Sequence, residues 1–403
     1  MKSPAHVLPR GLLACLAALV TLCLVACATP QATSVSNELP FEQAVAKATD
    51  GLVSQTQTLP AFLAKVESKL AKRGVVVDPF LDSSTGQQTG ATKLFEKRVT
   101  DRLTSSYDAF DLLPFQSANL SKAQYLLTGT MTRATGEHAR NTFKLNLALT
   151  ELRSGKVVAQ ASAQAQGAGL DNNPLPYYRD SPVLVKDQVL EGYIRSTATA
   201  PGQKADAFYL DRIAAATLIN EATTLYNSER YQEALGQYRS ALATPAGEQL
   251  RVLNGIYLAN VKLGRTAEAE TAFGKVVAMG IAYNELGVKF LFNPGSTEFW
   301  SDTRISGAYG MWLRQIARES TAAKVCMNII GHTSRTGSEQ SNDSLSLQRA
   351  AYVKQRLTAE APNLGPRTKA TGMGFRQNIV GSGSDNAVDA LDRRVEFKIV
   401  GCN

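Results

Sequence analysis

Three histidines, His6, His138 and His332, are all the imidazole this 403-residue chain contains. A His-rich metal centre is therefore excluded. A Ser–His or Cys–His catalytic pair has only His138 or His332 to build on, and no paired acid and nucleophile accompanies either. His332 reads as a brace for its loop. The run Gly381-Ser382-Gly383-Ser384 lacks the Lys and the strand-to-helix setting of a phosphate-cradling loop, and reads as a flexible insertion. No cofactor, no metal and no enzymatic activity are expected. The polar residues left in suggestive order lie near the C-terminus. They are Gly331-His332-Thr333-Ser334-Arg335-Thr336-Gly337-Ser338, Asn342, Arg349 and Asp392-Arg393-Arg394. Such side chains bind through charge and hydrogen bonds, without covalent chemistry.

The elements that must position them occupy residues 284–403. Lys289–Phe292 reads as a short strand. Ile305, Tyr309, Trp312 and Ile316 mark one apolar helix face. Lys324–Ile330 is a strand, and the polar loop 332–344 leads into a helix carrying Leu345, Ala350, Val353 and Leu357. A strand near 367–371 and a final one with Val395, Phe397 and Ile399 complete an α+β domain, a small sheet with helices on one face.

Upstream, the order β-α-β-β-β over 41–167 predicts an α/β or α+β domain. Its helical start at 41–72 is interrupted near Pro60. Its strands are Val75–Phe80, Tyr125–Ala134, the alternating stretch around Phe143, Leu145, Leu147 and Leu149, and Lys156–Gln166. Pro174, Pro176, Pro182, Pro201 and Gly202 make 168–205 read as an extended linker, with Tyr177, Tyr178 and Tyr193 packing on a neighbour. Residues 206–283 are all-α. Ala234, Tyr238 and Ala241 recur as Ala269, Phe273 and Val276, an offset of 35 residues.

Composition agrees with a multidomain globular chain: 44% apolar, 19% charged, net charge +8. The positive charge is too dilute for a nucleic-acid partner. The N-terminus has a basic start, Lys2 and Arg10, then an apolar run to Ala26 that is too short for a comfortable span. It ends in Leu24-Val25-Ala26-Cys27, which resembles the bacterial lipobox. The resemblance implies a signal peptide over 1–26, lipidation of Cys27, a tether over 27–40, and an outer-membrane anchor facing mainly the periplasm. Ala28 rather than Asp after the cysteine agrees with onward export. Cys15 and Cys23 leave with the signal, so Cys326 and Cys402 remain, a disulfide candidate in an oxidising compartment. Both occupy even positions on strands, and a cross-strand bond would pin the C-terminus.

Three resemblances follow from these motifs. The pattern GHTxxxGS, Asn342, Leu345-Ser346, Arg349-Ala350 and DRRVEF resembles the OmpA-like peptidoglycan-binding domain, over about the last 116 residues. That implies Arg349 as the fork holding a carboxylate of the peptide stem, with Thr333, Ser334, Asn342 and Arg393 around the groove. The family places an aspartate, for the ligand's ammonium, where this chain has Ser334. Asp343 or Glu339 then supplies the anion, or the loop holds another ligand, or it has become structural. The stretch YQEALGQYRSAL with Leu263-Gly264-Arg265 resembles tetratricopeptide repeats, although Tyr257 and Asn260 depart from that pattern. VVVDPF, AQYLLTGTMTR and LNLALTELRSGKVV resemble the LpoB/FlgO/CsgG-like outer-membrane lipoprotein class. Together they imply a wall-binding outer-membrane lipoprotein that also presents surfaces to a periplasmic protein. The alternatives are an adaptor or activator for which the last domain is only a locator, and a wall-metabolising enzyme, which the lack of a catalytic constellation disfavours.

Overall fold

The computed structural model describes residues 38–57, 72–134, 141–183, 186–284, 286–386 and 388–402. The lipobox-like stretch, Cys27, residues 58–71 of the segment expected to be helical, His6 and His138 lie outside them. Residues 38–402 belong to one compact unit.

The N-terminal part is a mixed sheet covered on both faces. Its strands are β1 (Arg73–Val77), β2 (Leu81–Asp82), β3 (Phe110–Leu113), β4 (Tyr125–Arg133), β5 (Thr142–Glu151) and β6 (Lys156–Gln166). The order is β3-β1-β4-β5-β6, with β2 pairing β4. The first pairs, β1 with β3 and β1 with β4, are parallel, and β4-β5-β6 is an antiparallel meander. The sequence reading missed β3, whose four residues Phe-Asp-Leu-Leu are too short for periodicity to stand out.

Helices α1 (Phe41–Thr56) and α2 (Gly90–Ser106) cover one face. Thr89 caps α2 reciprocally with Thr92, which sets its start. Val45, Leu52, Phe95 and Val99 pack there against Val75, Leu127 and Leu145. The opposite face presents Val76 and Leu126, so β4 is buried on both sides.

What covers that second face corrects the linker reading. Residues 168–205 are not extended: they carry α3 (Pro176–Asp180) and α4 (Gln188–Ala198). Val189, Leu190 and Tyr193 of α4 pack on Val76 and Leu126. The Tyr193 hydroxyl lies within 3.0 Å of Gly129 N and of the Pro79 and Gly129 carbonyls. Proline at the start of α3 begins a helix instead of preventing one. Tyr177 stacks on Tyr238 in the helical middle, with ring centres 6.1 Å apart.

That middle consists of α5 (Ile213–Asn227), α6 (Tyr231–Leu242), α7 (Leu250–Lys262) and α8 (Thr266–Ala282). All six residues of the 35-residue recurrence are buried. A Cβ on Gly255 would lie 2.3 Å from the Tyr238 ring, so glycine lets α7 approach α6 closely.

The C-terminal sheet has the order β7-β10-β8-β9, from β7 (Phe290–Leu291), β8 (Cys326–Gly331), β9 (Thr368–Gly372) and β10 (Arg394–Val400). Helices α9 (Tyr309–Ala322) and α10 (Glu339–Glu360) pack against it. The pairs β10–β8 and β10–β7 are antiparallel, and β8–β9 is parallel. Cys326 and Cys402 form a disulfide, their Cα atoms 5.2 Å apart. Cys402 lies just beyond β10, which ends at Val400 opposite Cys326. One apolar core runs from Tyr226 and Tyr238, through Phe273 and Trp312, to Ile329 and Val395. The helical middle and the C-terminal sheet therefore share an interior.

Candidate functional site

The candidate residues meet where β8, α10 and the loop before β10 converge. After β8 the chain turns sharply, with Gly337 at φ +89°. A Cβ on Gly331 would fall 1.9 Å from the Ser346 carbonyl, so only glycine lets β8 end against α10. Ser338 caps α10 by accepting from Ser341 N. Asn342 Nδ2 donates to the Thr336 and Ser338 carbonyls at 2.9 and 3.0 Å, fixing the loop as side-chain-to-backbone bonds do.

Arg349 is 0% exposed. Its Nε, Nη1 and Nη2 donate to the carbonyls of Ser296, His332 and Asn293 at 2.8, 3.0 and 2.8 Å. One guanidinium thus ties the turn after β7 to the end of β8. Burial, and then the neighbouring Arg393, bring its pKa down to about 10, against the opposing pull of Asp385. Arg393 is 1% exposed and sits over the Trp300 ring, 5.1 Å from its centre. It donates to the Phe292 carbonyl at 3.2 Å, to Asp385 Oδ1 at 2.7 Å and to the Asn386 carbonyl at 3.1 Å.

Ser334 is also buried, and the structure gives it a partner the sequence reading did not consider. Its hydroxyl donates to Asp385 Oδ1 at 2.7 Å, and Thr336 donates to Asp385 Oδ2 at 3.2 Å. The anions anticipated for this place are elsewhere: Arg376 holds Glu339 at 3.0 Å and Asp343 at 2.7 Å. Thr333 is buried with its hydroxyl unpartnered.

The Gly/Ser run read as a flexible insertion is wound around two fully buried carboxylates. Asp389 accepts from the backbone of Ser382, Ser384 and Asp385 at 2.9–3.0 Å. Asp392 accepts from Ile379, Val380 and Gly381 at 2.6–2.9 Å. Asp385 itself takes the left-handed conformation, φ +52°, which Asp tolerates better than most residues. Its only sequence signal was a place eight residues before Arg393.

His332 braces, as expected. It donates or accepts at Nε2 with Glu396 Oε1, 3.1 Å away, and burial holds its pKa below the ordinary value. Arg394 is buried and bonds Glu396 Oε2 at 2.8 Å. Burial opposes ionisation of Glu396, but His332 and Arg394 outweigh it and bring its pKa to about 2. Among the described residues no group of His, Cys, Asp or Glu could hold a metal.

Residues 291–390 match the OmpA family. The matched stretch of this OmpA-family domain contains Arg349, the 332–338 loop and Asp385, and stops just before Asp392-Arg393-Arg394. The chain is similar to the peptidoglycan-associated lipoprotein from Burkholderia pseudomallei, at 23% identity over 28% of this chain and 89% of that one, TM-score 0.24. It is also similar to the periplasmic domain of Helicobacter pylori MotB, at 19% identity over 27% and 69%, TM-score 0.22. An outer membrane protein from Borrelia burgdorferi is similar at 23% identity over 28% and 85%, TM-score 0.21. No curated protein matches the chain. Among the described residues no helix is long and apolar enough to cross a membrane.

Proposed function

We propose that the chain is an outer-membrane lipoprotein that binds peptidoglycan non-covalently through its OmpA-family domain. The observation that carries this is Arg349, a buried guanidinium of that domain whose hydrogen bonds among the described residues go to carbonyls and not to a carboxylate. A buried cation without an anion of its own is costly until one completes it. Arg349 has five N–H groups and uses three on carbonyls. The remainder suits a carboxylate of the peptide stem, and the unpartnered Thr333 hydroxyl lies in the same loop. Lipid on Cys27 would hold the other end in the outer membrane, with the chain mainly in the periplasm. The helical middle, similar to tetratricopeptide repeats, and the LpoB/FlgO/CsgG-like sheet domain would offer surfaces to a periplasmic protein. No catalysis is assigned.

A second reading has its own support. Arg349 is fully buried and clamps three carbonyls, as a purely structural arginine does. On that reading the domain is a structural module, and the chain is an adaptor or activator that works through its other modules.

Co-sedimentation of the full chain with purified sacculi separates the two. The wall-binding reading expects the wild type to pellet, less at 300 than at 50 mM salt as charge pairing is screened. Wild type left in the supernatant at both salts sinks it and leaves the adaptor reading. Release of soluble muropeptides in the same tubes would reveal an enzyme.

A further inference from the structure

We propose that Asp385 is the ammonium-accepting group of this site, so that the site reads an amino-acid end carrying both an ammonium and a carboxylate. This rests on the wall-binding reading and adds to it the residue that recognises the ligand's cation.

Three observations carry it. First, of the charged groups in the cluster, only Asp385 has an open edge: its side chain is 23% exposed, against 1% for its partner Arg393. The anion faces solvent and the guanidiniums lie behind it. Second, its hydrogen-bonding capacity is not used up. A carboxylate offers about four acceptor positions. Among the described residues, Ser334 and Arg393 take Oδ1 and Thr336 takes Oδ2, three of those positions. Third, the group is held in place from both sides. Arg393 and two hydroxyls grip the carboxylate, while Asp389 grips the Asp385 backbone N–H at 2.9 Å. Such preorganisation belongs to a binding group more than to a surface residue. Asp343 and Glu339 pair with Arg376, whereas Asp385 is the carboxylate that the Ser334 hydroxyl bonds. The loop has thus brought a negative charge to Ser334 from 51 residues further along the chain.

The ligand is a diamino acid end of the kind found in uncrosslinked peptidoglycan stems. The test uses the full chain, native sacculi, and sacculi whose free amines have been acetylated. Acetylation removes the ligand's ammonium without touching the protein. The expected results are a loss of about tenfold in wild-type binding on acetylation, and a similar loss for Asp385→Asn on native sacculi. Acetylation should then weaken Asp385→Asn no further, and adding Ser334→Asp to Asp385→Asn should restore binding. The proposal is overturned if wild type binds both sacculi equally. It is also overturned if Asp385→Asn binds as well as wild type, or more tightly, since tighter binding would make Asp385 a cover over Arg349. Wild type that fails to pellet native sacculi removes the wall-binding reading, and this proposal with it. Wild type that pellets indifferently to acetylation removes this proposal alone.

Discussion

Trp312 of the OmpA-family domain donates its indole N–H to the hydroxyl of Tyr257 in the helical middle, 2.7 Å away. Phe273 stacks on the same indole with ring centres 5.5 Å apart. Tyr257 departs from the repeat pattern, and this bond is the physical reason: a small residue there would leave the indole N–H buried without an acceptor.

The first prediction follows from that bond. Trp312→Ala removes a large buried ring and should cost about 3–5 kcal/mol. Trp312→Phe leaves the Tyr257 hydroxyl without its donor and should cost about 1–3 kcal/mol. Urea unfolding of the full chain measures both. Because the core is continuous, the helical middle and the C-terminal sheet should unfold in one transition that both variants move. A transition of the middle helices left unchanged by Trp312→Ala would show that the two parts are independent.

Arg349 gives the second. A lysine at this place keeps the charge, but its compact ammonium cannot span the carbonyls of Asn293, Ser296 and His332. At least one carbonyl is then left unsatisfied, so Arg349→Lys should lose about 1–3 kcal/mol of stability. Thermal unfolding of the same preparation used for sacculus binding checks it. A variant of unchanged stability would mean that the three carbonyl bonds contribute nothing net.

The Cys326–Cys402 disulfide closes a loop with a sequence separation of 76. Constraining so long a loop in the unfolded chain is worth about 2–4 kcal/mol. Dithiothreitol should lower the melting temperature of the wild type, and should leave that of Cys402→Ser unmoved. Equal sensitivity of the two proteins would contradict the assignment.

Lys289 supplies a pH prediction. It is buried beside Arg394, and burial first, then Arg394, bring its pKa from 10.5 to about 7. The unfolded chain therefore binds more protons between pH 7 and 10.5, so this residue's contribution makes stability rise across that window. The penalty is fully present below pH 7 and gone above 10.5. Lys289→Met should raise the melting temperature by about 2–4 °C at pH 7. The advantage should shrink as pH rises toward 10. An advantage that grew with pH would reverse the sign argued here.

Much of this molecule was legible from the residues alone. The alternation of Phe143, Leu145, Leu147 and Leu149 marked β5, and the apolar spacing of Tyr309, Trp312 and Ile316 marked α9, because periodicity is a local property of the chain. The resemblance of GHTSRTGS, Arg349-Ala350 and DRRVEF to the OmpA-like pattern implied that Arg349, Ser334 and Arg393 share one neighbourhood. The two cysteines that lie outside the expected signal segment pointed to the disulfide. Only the tertiary structure decided the rest. Whether residues 168–205 were linker or cover depended on a sheet face, Val76 and Leu126, that needed covering. Whether Arg349 was free or clamped depended on carbonyls more than 50 residues earlier. The charge missing at Ser334 came from Asp385, in a loop whose path is set by the buried carboxylates of Asp389 and Asp392. A carboxylate's partner is chosen by where the folded chain brings it, and no local pattern records that.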